Sequence, residues 1–288
     1  MNLGVFLRLG RVSNLPTVWT NVFAALALSG SLTGLPALQL SSALSLYYLG
    51  GMYLNDAFDR KIDAVERPQR PIPSGQVSAG LVFGLGFAWL LFGFVLLLQG
   101  ADSSGASVPY AAVSGIALAL CIIGYDVYHK KNPLSPVLMG MCRVLVYVSA
   151  AFAVQRQLQT HLLWGAAALL CHLIGLSYAA KQEAYNRLTR VWPLGFLAAP
   201  ALYGICLALR QPMVWPFLVV FVAWTLYSLR FLRPGPGRSV PQAIVRLIAA
   251  ISLLDALLIA STGAFGWALA AVALAALTRV FQRYIPGT

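Results

Sequence analysis

Ten apolar runs, each of roughly bilayer-crossing length, follow one another along this 288-residue chain. They lie near 15–31, 36–55, 79–99, 107–125, 134–154, 161–180, 193–209, 213–230, 242–261 and 264–283. Runs of this kind predict an all-α polytopic membrane bundle. Composition agrees: 59% of residues are hydrophobic and 10% charged, where a soluble domain carries about 25% charged residues, and the mean hydropathy is +0.77. The first run carries Pro16 and Asn21 and is followed closely by another apolar segment, so it reads as a retained span rather than a cleaved signal peptide.

The net charge of +12 follows from topology. With the N-terminus inside, 17 of the 20 Lys and Arg residues fall on the inner side, as the positive-inside rule requires. Arg156 and Arg210 fall outside and Arg143 lies within a span. No nucleic-acid partner is needed to explain the charge. Cys121, Cys142, Cys171 and Cys206 sit inside apolar runs without C-x-x-C spacing, which predicts small core residues rather than disulfides or a zinc site. The longest polar connections are 56–78 and 231–241, so residues 1–288 are expected to form one membrane domain. Charged loops follow the second, fourth, sixth and eighth runs alike, a faint two-fold repeat.

Where the second run meets water, the chain reads Asn55-Asp56-Ala57-Phe58-Asp59-Arg60-Lys61-Ile62-Asp63. Positions 55, 56, 59 and 63 share one face of a helix. Three carboxylates and an amide there make a site for a hard cation such as Mg²⁺, which is commonly shared between one or two carboxylates and substrate phosphates. The alternative is a solvated helix end whose Asp residues pair with Arg60 and Lys61. Further on stands Arg67-Pro68-Gln69-Arg70-Pro71-Ile72-Pro73-Ser74-Gly75. N-D-x-x-D-x-x-x-D followed by R-P-x-P-S-G resembles the first aspartate-rich motif of the UbiA superfamily of intramembrane prenyltransferases. That family usually shows nine spans, so nine to ten transmembrane helices are expected here.

The resemblance implies that Asp56 and Asp59, with Asp63, hold Mg²⁺ against the diphosphate of a polyprenyl donor, assisted by Asn55, Arg67 and Arg70. A second loop, Tyr125-Asp126-Val127-Tyr128-His129-Lys130-Lys131-Asn132-Pro133, is similar in position to a family stretch whose lysine neutralises the leaving group. Lys130 is the candidate, against the reading of a topogenic loop, and Asp126 and His129 either touch substrate or cap a helix end. In the third loop the family's second motif, D-x-x-x-D, is missing. Glu183 is its one carboxylate, flanked by Gln182 and Asn186, while Lys181 and Arg187 supply positive charge that could replace a second cation. Glu183 joins Asp56, Asp59 and Lys130 as a catalytic candidate, and Lys181 and Arg187 join the substrate-binding set. Asn14, at the inner boundary in Arg11-Val12-Ser13-Asn14-Leu15-Pro16-Thr17, is a further substrate contact.

Y-D-x-x-H-K-x-N-P in one loop and Y-x-A-K-Q-E in the next look like the EboC branch of UbiA-like proteins, which belongs to bacterial secondary-metabolite biosynthesis. That resemblance implies a multi-pass enzyme of the bacterial inner membrane, with its N-terminus and active-site loops cytoplasmic. It would transfer a prenyl group from a polyprenyl diphosphate to an aromatic or other lipophilic acceptor. The alternative is a degenerate relative that binds or carries a hydrophobic metabolite without turnover. Within the spans, Arg143 either reaches the diphosphate or bridges to Asp255, Asn21 makes an interhelical hydrogen bond, and Gly84, Gly86 and Gly140 permit close packing.

Overall fold

The computed structural model describes residues 3–106, 108–130, 132–181, 192–232 and 239–287, and their regular elements are all helical. In chain order the α-helices are α1 (Leu3–Leu9), α2 (Leu15–Leu28), α3 (Gly34–Glu66), α4 (Ala79–Ser103), α5 (Val108–Tyr128) and α6 (Ser135–Phe152). After these come α7 (Thr160–Lys181), α8 (Ala198–Arg210), α9 (Trp215–Leu229), α10 (Val240–Ala260) and α11 (Phe265–Phe281). Helices α2, α6, α9 and α10 each open with a proline in the first turn, where its missing N–H costs nothing and its fixed φ favours the helix. Helix α3, about 50 Å long at 1.5 Å per residue, stops at Arg67, whose α conformation is disfavoured by Pro68.

Seven segments among the described residues are long and apolar enough to cross a bilayer: Ala79–Ser103, Val108–Tyr128, Ser135–Phe152, Thr160–Lys181, Trp192–Arg210, Pro212–Leu232 and Val240–Ala260. The predicted spans at 15–31, 36–55 and 264–283 are not among them. Val12–Leu28 and Phe265–Phe281 are apolar but shorter, and the apolar part of α3 is interrupted by polar residues such as Gln39, Ser41, Ser42 and Ser45. Helix α10 is the central post, buried along nearly its whole length and packed by α2, α7, α9 and α11. Helices α4, α5, α8 and α9 instead expose Leu91, Phe92, Val113, Leu120, Leu202 and Val219, as surfaces that face lipid do.

Two of the three predicted packing glycines lie at helix contacts. A Cβ at Gly86 would come within 2.8 Å of Leu54, and one at Gly140 within 2.5 Å of Leu170. Gly84 is exposed with open space around it, two residues from each of the buried positions Val82 and Gly86. The cysteines are less interior than expected: Cys206 is exposed and the other three are half-buried. One end of the bundle gathers the C-terminal ends of α3, α5 and α7 with the start of α6, since Lys181 Nζ donates to the Asn132 carbonyl at 2.5 Å and His129 reaches Asp59.

Candidate functional site

At that end the last turns of α3 present the aspartates along one buried face: Asp56, Asp59 and Asp63 are 6%, 4% and 2% exposed. Carboxylates so buried must be paired. Arg11, in the turn before α2, donates to Asp56 Oδ1 at 2.9 Å and to Asn55 Oδ1 at 3.2 Å. Arg70, from the Pro-rich segment after α3, spans Asp56 at 3.3 Å and Asp63 at 2.7 Å. From the end of α5, His129 Nε2 lies 3.3 Å and Lys130 Nζ 3.5 Å from Asp59 Oδ2. Thus the partners are long-range residues, not the adjacent Arg60 and Lys61. Asp59 lies beyond the apolar part of α3. Burial works against its charge, but the His129 hydrogen bond and the Lys130 charge more than offset this and hold its pKa below the usual carboxylate range.

Asn55 faces the same way and donates to Asp126 Oδ1 at 3.1 Å. Asp126 is 3% exposed, and its Oδ2 has no hydrogen-bond partner. Arg11 is a candidate residue that sequence reasoning missed. Its partner is 45 residues away, and the available signal was its place at the boundary of the first apolar run. Its φ of 41° is positive, a strained setting for a non-glycine residue of the kind found at functional sites.

The hard oxygen donors suit Mg²⁺, though not as a three-carboxylate cage. Among the described residues no three His, Cys, Asp or Glu side chains are placed to hold one ion, because the Arg70 guanidinium sits between Asp56 and Asp63. What fits is one or two carboxylates sharing the ion with substrate phosphates, with Arg11, Arg70 and Lys130 turned toward the same anion. The remaining candidates lie elsewhere. Arg67 makes no ion pair among the described residues, its backbone N–H serving instead to close the helix on Asp63. Asn14 is engaged by the chain's last segment, donating to the Gly287 carbonyl at 2.8 Å and accepting from Gln282 Nε2 at 2.9 Å. Lys181 is tied to Asn132. Glu183 and Arg187 lie outside the described residues.

Below the aspartates a mostly apolar cavity opens between α2, α3, α5 and α6, bounded by Val18, Tyr48, Met52, Tyr125, Asp126 and Arg143 among others. Arg143 does not bridge directly to Asp255. Its Nη1 donates to Asn21 Oδ1 at 2.9 Å and its Nη2 to Thr17 Oγ1 at 3.0 Å. The Asn21 amide in turn donates to Asp255 Oδ2 at 2.8 Å. Asp255, fully buried, also accepts from Thr20 at 2.6 Å and from the Tyr147 hydroxyl.

A helical bundle with long apolar spans, and with buried, cation-paired aspartates above an apolar cavity, defines a polytopic integral membrane protein. The chain matches the UbiA prenyltransferase family over residues 13–239 and belongs to that family. It is 37% identical over 116 residues to the digeranylgeranylglyceryl phosphate synthase of Ignicoccus hospitalis, covering 40% of this chain and 37% of the relative. It is also 37% identical over 134 residues to that of Methanoculleus marisnigri, covering 46% and 45%. The match therefore spans less than half of either relative. Among solved structures, a UbiA homolog from Archaeoglobus fulgidus bound to GPP and Mg²⁺ superposes with a TM-score of 0.63 at 12% identity, covering 93% of this chain and 99% of the other. A structure of digeranylgeranylglyceryl phosphate synthase gives 0.53 at 18%, covering 96% and 97%. Both likenesses concern the fold.

Proposed function

We propose that this protein transfers a prenyl group from a polyprenyl diphosphate to a lipophilic acceptor within the membrane. The observation that carries the reading is the juxtaposition of buried Asp56, Asp59 and Asp63 with Arg11, Arg70 and Lys130, directly above an apolar cavity. Asp56 and Asp59 would hold Mg²⁺, which supplies charge neutralisation to the departing diphosphate. Arg11, Arg70 and Lys130 bind the same phosphate oxygens, where positive charge lowers the barrier as the carbon–oxygen bond breaks. Tyr48, Tyr125 and the aliphatic wall exclude water from the allylic centre. Lys181, Glu183 and Arg187, of the third loop, belong to the proposal as residues standing where the family has its second aspartate motif. Residues 1–288 act as one domain, the head-group end faces the cytoplasm, and the bacterial inner membrane is the proposed location.

The acceptor divides two readings. The named relatives make digeranylgeranylglyceryl phosphate, which favours a prenylated glycerol phosphate; the EboC-like loop pattern favours an aromatic secondary metabolite. A binder or carrier without turnover keeps one support, the missing D-x-x-x-D. Purified protein in nanodiscs, given prenyl diphosphates of several lengths with Mg²⁺ and each acceptor class, should release pyrophosphate and yield a prenylated product by mass spectrometry. Asp56→Ala and Asp59→Ala should each abolish both signals while leaving the protein folded. Tight diphosphate binding with no product in any combination would establish the carrier instead.

A further inference from the structure

Helices α10 and α11 form an antiparallel pair closed by a short turn, and Arg246 stands as far from that turn on α10 as Arg279 does on α11. The two are therefore level with each other, near the end of the bundle where the start of α10 packs on the end of α7. Arg283, one helical turn beyond Arg279, adds a third charge, and Arg246 and Arg283 both lie near enough to act electrostatically on Arg279. Nothing acidic answers them. After Glu183 the sequence holds a single carboxylate, Asp255, which lies about 14 Å further along α10 at 1.5 Å per residue and is engaged by Thr20, Asn21 and Tyr147. None of the three arginines makes an ion pair among the described residues.

Topology accounts for positive charge in connecting loops, but Arg246 and Arg279 lie within helices and are half-buried, and their neighbours aim them. The Arg246 guanidinium carbon lies 3.8 Å from the Phe231 ring centre and 5.8 Å from that of Tyr227, while its Nη1 donates to the Gln242 carbonyl at 2.8 Å. Arg279 Nη1 donates to Gln282 Oε1 at 2.6 Å. These partners are all neutral, and a guanidinium carries five donors, so capacity remains for an anion. The surroundings say which kind. Tyr227, Phe281 and Tyr284 are exposed beside the arginines, as aromatic residues at a bilayer interface are. Leu269, Ala273, Ala276 and Val280 are exposed at steps of four, three and four, which makes one apolar face of α11 leading up to Arg283.

We propose that Arg246, Arg279 and Arg283 form a binding site for an anionic phospholipid, whose phosphodiester seats on the guanidinium groups while an acyl chain lies along the exposed face of α11. A zwitterionic lipid brings its own cation and leaves the three charges unmatched, whereas a lipid of net negative charge neutralises them, as basic pockets between helices do with anionic head groups. The site is separate from the aspartates and does not rest on the prenyl-transfer reading.

The probes are phosphatidylglycerol and phosphatidylcholine with matched acyl chains, added to the whole chain in detergent, and glycerol phosphate as the soluble form of the head group. Native mass spectrometry reads binding and scanning fluorimetry reads Tm. Wild type should bind phosphatidylglycerol about tenfold or more tightly than phosphatidylcholine, and only the former should raise Tm. One arginine at an anionic surface is worth roughly a fivefold factor, so Arg283→Gln should cut the preference about threefold to fivefold. The triple variant Arg246→Gln, Arg279→Gln, Arg283→Gln should abolish it while keeping prenyl diphosphate affinity within about twofold. Lys61→Gln, which removes an exposed cation elsewhere on the chain, should leave the preference intact. Should the triple variant fail to fold, Arg283→Gln against Lys61→Gln decides the matter, because Arg283 is exposed and lies beyond α11. Equal binding of the two lipids overturns the proposal, as does a preference that survives the triple variant or falls equally in Lys61→Gln. Stabilisation by glycerol phosphate as great as by phosphatidylglycerol would replace the lipid with a soluble anion, and a parallel loss of prenyl diphosphate affinity would assign the arginines to that ligand instead.

Discussion

Arg11 combines two properties that substitution can separate. Its φ of 41° and ψ of 46° place it in the left-handed region, which costs an ordinary residue roughly 1 kcal/mol and glycine almost nothing. Its side chain meanwhile holds Asp56. Arg11→Gly should therefore be more thermostable than Arg11→Ala, while both weaken prenyl diphosphate binding by the same factor, about tenfold; calorimetry and equilibrium binding on the two variants check this. Asp59 gives a pH signature. Its carboxylate is depressed, so the stability it contributes is complete above the ordinary Asp value of about 4 and is lost as pH falls through its lower native value. Replacing both partners, His129→Gln with Lys130→Gln, should lower Tm at pH 7 and narrow the difference between pH 7 and pH 3. An unchanged difference would mean that the pairs carry no net stability. The aspartate face was legible in the sequence because steps of three and four are a local property of a helix. Arg11 and the Asn55–Asp126 contact were not, because pairing across 45 and 71 residues leaves no periodic trace.

Helices α3 and α4 lie against each other through Gly50 and Gly86. A Cβ on Gly50 would meet the Gly86 carbonyl oxygen at 2.9 Å, and a backbone atom cannot swing aside as a side chain can. Gly50→Ala should thus lower Tm in detergent by several degrees, whereas Gly84→Ala, with open space around it, should leave it within a degree. Helix α2 is joined to its neighbours differently, by Asn21 standing between Arg143 of α6 and Asp255 of α10. Hydrogen bonds inside membranes are worth about 0.6 kcal/mol on average and up to about 1.7. A double-mutant cycle on Asn21→Ala and Asp255→Asn should give a coupling within that range, and strict additivity would show that the two side chains act apart. Sequence periodicity revealed these helices but not their partners. Of the two readings of Arg143, the bridge to Asp255 exists only through Asn21, whose expected interhelical hydrogen bond is the contact that joins them.

For the whole bundle the strongest expectation is sidedness. Cysteines placed at Ser74 and Ser239 on a background lacking native cysteines should react with an impermeant reagent from the same side, because the ends of α3 and α5 meet at the aspartates, Lys181 at the end of α7 joins the segment after α5, and that end of α7 packs on the start of α10. Labelling from opposite sides would contradict this arrangement and the clustering of basic residues alike. The fold class was readable because bilayer crossing requires long apolar runs. The number of crossings is harder to read, since the apolar segments at α2 and α11 are short and α3 mixes polar residues into its apolar run. Helix α2 adds a constraint in time. Thr20 and Asn21 find Asp255 235 and 234 residues later, and Asn14 finds Gly287 273 residues later. At roughly 5–20 residues per second of synthesis, these groups wait about 12 to 55 s for their partners. An early helix whose Asn21 and preceding Asn14 await such late partners is a natural client for whatever holds nascent segments at the membrane until α10 and the residues after α11 emerge.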